Sequence, residues 1–134
     1  MTRRFKSIPS EVMRAVDTLQ QMGMEWKLPE RELFRLTVAL EECASNIVNH
    51  ALGHDPTRFF QLSLEYTQSI LTIELRDNGS EFNPNLHQPD LSTHDRQPGG
   101  WGISLVRKYT DEVHYQRVNG ENVLQLKKGF PSIS

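Results

Sequence analysis

The chain has a single cysteine, Cys43, among its 134 residues. That excludes an internal disulfide framework and a cysteine-rich zinc site. Long apolar runs are also missing. No segment approaches the ~20 residues that span a bilayer, and none follows the basic start of Arg3, Arg4 and Lys6 as the core of a signal peptide. A cytoplasmic protein without membrane contact is expected. Charge of one sign is not in excess: the formal net charge is -2, so there is no polyanion footprint and direct nucleic-acid binding is not expected. The five histidines lack a helical metal-ligand spacing with an intervening acid, and Gly53 interrupts the one pair four apart, His50 and His54. No glycine cluster is followed by the Gly-Lys-Ser/Thr of a Walker loop, and none directly follows a strand as a dinucleotide fingerprint does. Internal repeats and low-complexity segments are absent as well. What is there is ordinary: 37% hydrophobic and 24% charged residues. This is the composition of one globular domain, residues 1–134, that can bury roughly two-thirds of its unfolded surface.

Hydrophobic spacing then sets the order of elements. A short strand near Phe5 to Ile8 precedes a helix with Ser10 as N-cap, whose stripe of Val12, Met13, Val16, Leu19 and Met22 stops at Gly23. Pro29 opens a second helix, with Glu30 and Glu32 at its positive end. Its stripe runs Leu33, Leu36, Leu40, Cys43, Ile47 and Ala51 as far as Leu52, before Gly53 and Pro56. From Phe59 the period becomes two. Phe60, Leu62, Leu64 and Tyr66 share one face, and Ile70 to Leu75 returns after Gln68-Ser69 as the second arm of a hairpin. Residues Asn78 to Pro98 show no sustained period and read as a long loop of the functional kind. A short helical stripe follows from Ile103 to Tyr109. Strands Glu112 to Val118 and Asn122 to Lys128 close the chain around Asn119-Gly120, the dipeptide suited to a type I′ turn. Hairpins with helices on one face describe an α+β, two-layer α/β sandwich with a mixed, mostly antiparallel sheet.

Three polar stretches carry the chemistry. Glu42 and Asn46 stand one helical turn apart and point to the same side. A carboxamide oxygen suits Mg²⁺, which keeps several waters and shares phosphate oxygens, and a carboxylate one turn away can take a proton from a hydroxyl or a water. Taken alone, such a pair far more often merely decorates a solvated helix face. Asp77-Asn78-Gly79 ends a buried strand. It is either a plain turn or an acceptor for the exocyclic amine of adenine, with Gly79 allowing close backbone approach. Gly99, Gly100 and Gly102 stand just before the third helix. They suit a tight connection or a nest of backbone donors for an anion. Phe82 and Pro84 suit a wall of that pocket and equally an anchor of the loop to the core.

Their joint order narrows the choice. Glu42-Cys43-Ala44-Ser45-Asn46, then Arg76-Asp77-Asn78-Gly79, then Gly99-Gly100-Trp101-Gly102-Ile103-Ser104-Leu105-Val106 resemble the N, G1 and G2 boxes of the GHKL ATPase superfamily. Within it the chain is most similar to the small anti-sigma factor serine kinases of bacterial partner-switching systems, from the first helix to the last strand. The resemblance implies the Bergerat ATP-binding sandwich, with ATP and Mg²⁺ as cofactors. It makes Glu42 the general base, Asn46 the metal ligand and Asp77 the adenine carboxylate with Gly79 as its companion. Gly99 to Gly102 become the hinge of an ATP lid at about residues 85–102, and Asn49, Trp101 and Ile103 join the nucleotide-binding set. It further implies a homodimer that phosphorylates a serine of a STAS-type anti-anti-sigma protein and holds a sigma factor when free.

Three departures from the family pattern bear on this. Ser80-Glu81-Phe82 replaces the second glycine of the first glycine box. Asn49 stands where related kinases often carry a basic residue, which moves phosphate contacts elsewhere, to Lys108 or Arg107. No phosphoacceptor-histidine segment precedes the domain, which argues against a full sensor histidine kinase. Two other functions fit the same boxes: a binding module whose nucleotide sets partner affinity without turnover, and a switch kinase acting on a stressosome-type scaffold.

Overall fold

A computed structural model describes residues 1–84 and 102–131. The elements follow the order β1 (Thr2–Lys6), α1 (Pro9–Glu25), α2 (Glu30–Asn46) with a π-helical turn (Ile47–Ala51), β2 (Phe59–Thr67), β3 (Ile70–Asp77), α3 (Gly102–Tyr109), β4 (Glu112–Val118) and β5 (Glu121–Gly129). The strands form one sheet in the order β1-β2-β3-β5-β4, and every pairing among the described residues is antiparallel. Period-two alternation turns Phe60, Leu62 and Leu64 of β2, Leu71, Ile73 and Leu75 of β3, and Leu124 and Leu126 of β5 to one face. The buried stripes of α1 and α2 meet that face in a single core. This is the expected two-layer α+β sandwich.

Both hairpins close through turns with two successive positive φ angles, 52° and 63° at Gln68-Ser69 and 51° and 79° at Asn119-Gly120. These are the I′ conformations that match strand twist. Three boundaries differ from the sequence reading. The first strand is Thr2–Lys6, not Phe5 to Ile8, because it pairs along β2 from Thr2 opposite Ser63 to Lys6 opposite Phe59. The first helix begins at Pro9, with extended Ile8 in the cap position and no side-chain cap, so Ser10 lies inside it. Nor does Gly23 end that helix. It is an interior position against which the Leu33 side chain packs so closely that a Cβ would overlap it, so tertiary packing, not chain termination, selects glycine there.

The second helix also changes character at its functional end. After Asn46 the ladder widens: Leu52 N–H donates to Ile47 O at 2.8 Å, a five-residue step. Widened turns of this kind concentrate at functional sites. Here the widened turn presents the Ala51 carbonyl to Ser80 N–H at 2.9 Å. The helix end is thereby tied to the loop that leaves β3.

Candidate functional site

The alternation that buries Leu71, Ile73 and Leu75 continues to Asp77, and register sets Asn122 of β5 opposite it. A carboxylate and a carboxamide therefore occupy core positions at one end of the sheet, both 4% exposed. Above them, α2 brings Asn46 and Cys43 to the same space. Together with Phe82, Tyr115 and Leu124 these residues line a small cavity of about 20 Å³.

Asp77 is held from inside. Its Oδ1 accepts from Gly79 N–H at 2.8 Å and from Asn122 Nδ2 at 2.9 Å. Burial pushes its carboxyl above the usual range, while those two hydrogen bonds and then Arg117 and Arg58 pull it back. Gly79 serves a second purpose, since a Cβ there would overlap the Ala51 carbonyl. Only glycine lets the loop pass the π-helical turn. Exposed His50 stacks on Phe82 of the cavity wall, with centroids 4.9 Å apart at 10°.

Glu42 and Asn46 lie four residues apart in α2. Among the described residues, Glu42 Oε1 and Asn46 Oδ1 are buried and have no hydrogen-bond partner. Such orphaned oxygens cost stability and are the natural ligands of a cation or a donor brought by a substrate. Burial, and then the neighbouring Glu41 charge, raise the Glu42 carboxyl above its ordinary 4.5, the direction that suits a proton acceptor working near neutral pH. Cys43 between them is fully buried with its thiol pushed up to about 12, by burial and then by the Glu42 charge. It acts as an apolar wall, not a nucleophile.

The other sequence-derived positions are less tightly joined. Asn49 is half-buried in the π-helical turn and does not line the cavity with Asn46. Gly102 begins α3 and Ile103 packs, partly buried, against the core. Gly99, Gly100, Trp101 and the loop assigned as a lid lie outside the described residues. Sequence reading missed Asn122, Tyr115 and Arg117, which surround Asp77. The signal was available, because the Asn119-Gly120 turn pairs Val118 with Glu121 and so puts Asn122 on the inward phase with Leu124 and Leu126. A larger open groove, lined by Arg4, Arg58, Arg76 and Glu121 among others, lies at the same end of the sheet. Its cations are largely engaged: Arg58 donates to Asn78 O at 2.6 Å, and Arg76 pairs with Glu121 at 3.3 Å. The cleft under α2 is the better candidate.

A two-layer sandwich with a buried carboxylate at the sheet end and unpartnered oxygens on the helix above is the architecture of a nucleotide-binding ATPase domain. The chain belongs to the histidine kinase-like ATPase domain family, whose model matches residues 5–128, and ATP is the nucleotide of that family. It is 32% identical over 111 residues to the serine/threonine-protein kinase BtrW of Bordetella bronchiseptica, covering 81% of this chain and 78% of that protein. It is 26% identical over 103 residues to the serine-protein kinase RsbW of Bacillus subtilis, over 72% and 64% of the two chains. In fold it matches the crystal structure of the RsbU and RsbW domains of Rv1364c from Mycobacterium tuberculosis with a TM-score of 0.69 at 11% identity. That match covers 96% of this chain and 32% of the larger protein. Among the described residues no helix is long and apolar enough to cross a membrane.

Proposed function

We propose that this domain is a protein-serine kinase of a partner-switching system, using ATP with Mg²⁺ to phosphorylate a small STAS-type anti-anti-sigma protein and binding a sigma factor as a homodimer when that protein is not available. The observation that carries the reading is the pair of buried oxygens of Glu42 and Asn46, one turn apart and unpartnered among the described residues, with Asn46 lining the same cleft as Asp77. Asp77 accepts the 6-amino group of adenine. Asn46 Oδ1 fits a hard cation, since it is an oxygen donor with no competing partner among the described residues. When bound there, Mg²⁺ supplies charge neutralisation across the phosphate oxygens.

The remaining steps belong to the protein. The acceptor serine hydroxyl approaches the γ-phosphorus from the Glu42 side, and its oxygen forms the new bond as the bond to the β-phosphate oxygen breaks. Its proton passes to Glu42, whose burial keeps the carboxylate basic enough to take it, and ADP departs. The serine kinases among its relatives favour turnover over a module that merely binds nucleotide. Incubation with labelled ATP and a STAS-type partner is expected to transfer label to a serine. Glu42→Gln is expected to abolish transfer and retain nucleotide. Undiminished transfer by that variant would reject Glu42 as the base, and absence of nucleotide binding by the wild type would reject the reading altogether.

A further inference from the structure

At the inner end of the cleft one side chain has every hydrogen-bonding group committed. Asn122 Oδ1 accepts from the Tyr115 hydroxyl at 2.5 Å, from Arg117 Nη1 at 3.1 Å and from Phe82 N–H at 3.3 Å. Its Nδ2 donates to Ser80 O at 2.8 Å and to Asp77 Oδ1 at 2.9 Å. Donors converge on the oxygen and acceptors on the nitrogen, so the carboxamide has one orientation and a flip would oppose like groups on both sides. Arg117 adds a second clamp, donating to Gly79 O at 2.8 Å. The network ties β3, β4, β5 and the loop after β3 to a single amide.

The consequence falls on Asp77. Gly79 N–H and Asn122 Nδ2 both donate to Oδ1, which holds the carboxylate through one oxygen and engages neither donor with Oδ2, and Asp77 lines the cavity. We infer that Asn122 is a positioning residue for base selection: its fixed carboxamide holds Asp77 with Oδ2 presented as an acceptor to a purine 6-amino group, so that the site takes adenine nucleotides and discriminates against guanine nucleotides. The inference rests on the ATP-binding reading above. Asn122 itself does not touch the base, because both ends of its amide are spent within the protein.

The test exploits the near-isosteric Asn122→Asp. An aspartate at 122 keeps the acceptor toward Tyr115, Arg117 and Phe82 but sets a second carboxyl 2.9 Å from Asp77, where the two must share one proton. Protonated, the new carboxyl donates to Asp77 and restores that hydrogen bond, while the one to Ser80 O is lost. Ionised, it repels. The charged and titratable groups facing the pair are Arg117 and Tyr115 on β4, Arg58 before β2, and Glu81 beside Tyr115.

Calorimetric titrations of the full chain with Mg-ATP and Mg-GTP from pH 5.5 to 8.5 are compared at each pH with the wild type, which cancels titration of the nucleotide. Relative to wild type, ATP affinity of N122D is expected to be at least tenfold weaker at pH 8 and to recover as pH falls, with the ATP-over-GTP preference following it. A folded variant whose affinity ratio stays flat with pH and whose base preference is unchanged would overturn the inference. If N122D does not fold, Tyr115→Phe carries the test. Removing the phenol that fixes Asn122 Oδ1 is expected to lower the ATP-over-GTP preference about threefold to tenfold, and an unchanged preference would overturn it equally. A wild type that binds neither nucleotide would overturn the ATP reading itself, a result distinguishable from either.

Discussion

Replacing Asp77 by Asn separates the role of the carboxylate in binding from its role in folding. Asp77 Oδ1 receives hydrogen bonds of 2.8 and 2.9 Å from Gly79 and Asn122, and an asparagine can keep both by holding its own oxygen inward. Its nitrogen then replaces Oδ2 and presents a donor to the cavity. An adenine 6-amino group loses a charge-assisted acceptor, a contact of about 1.5–3 kcal/mol, and meets a donor instead. At 1.4 kcal/mol per decade, ATP affinity should fall about 10- to 100-fold, while a 6-oxo purine, which offers an acceptor, should gain. Stability should not fall with it. Because burial raises the folded carboxyl above its ordinary 3.8, the folded state binds more protons than the unfolded one. The wild type therefore loses stability as pH rises from about 4 through the raised value. Asp77→Asn removes that share of the slope, so its melting temperature at pH 7.5 should equal or exceed that of the wild type. Calorimetry with Mg-ATP and Mg-GTP, beside thermal melts at pH 5 and 7.5, reads all three quantities. Wild-type ATP affinity in a folded variant would refute the assignment of Asp77 to the base.

Glu42→Gln should lower the phosphotransfer rate by about 10²- to 10⁴-fold and change the ATP dissociation constant little. It should also melt higher than wild type at pH 8, since the desolvated charge and its repulsion with Glu41 are removed. Its advantage should shrink toward pH 4.5, and a transfer assay with paired melts checks both. Asn46→Ala should weaken binding of Mg-ATP but not of metal-free ATP, because the lost atom is an unpartnered oxygen and not a structural hydrogen bond. Chelating Mg²⁺ should then have no further effect on the variant, and an equal effect on both proteins would count against Asn46 as the ligand. Gly79→Ala should destabilise by about 1–3 kcal/mol in urea denaturation, since its Cβ would overlap the Ala51 carbonyl.

The layers and both hairpins were legible because each rests on local rules. The period of two fixes which strand residues face inward, and a type I′ turn needs only its two central residues. The π-helical turn was not legible, since five residues are too few to separate a widened turn from a helix with the same apolar stripe. The interior place of Gly23 was not legible either, because it depends on Leu33, ten residues on and on another helix. Asn122 lies between these cases. Its partners come from β3, β4 and the loop after β3, so no short motif contains them. Its direction nonetheless follows from the turn that pairs Val118 with Glu121 and from the alternation that buries Leu124 and Leu126.

A polar side chain on the inward phase of a strand is costly unless something partners it. Two such side chains at the same level of adjacent strands, Asp77 and Asn122, are therefore a signal that a search for continuous motifs passes over. Glu42 and Asn46 raise a related point on the helix layer, where burial falls on oxygens that have no partner among the described residues. Glu42 and Asn46 cost folding free energy that a hydrophobic substitute would not, and the burial of the Asp77 carboxylate adds to it, whereas Asn122 is satisfied within the protein. The partners that would offset that cost, an amine at one end of the cleft and a cation with a serine hydroxyl at the other, are those that Mg-ATP and a protein substrate bring.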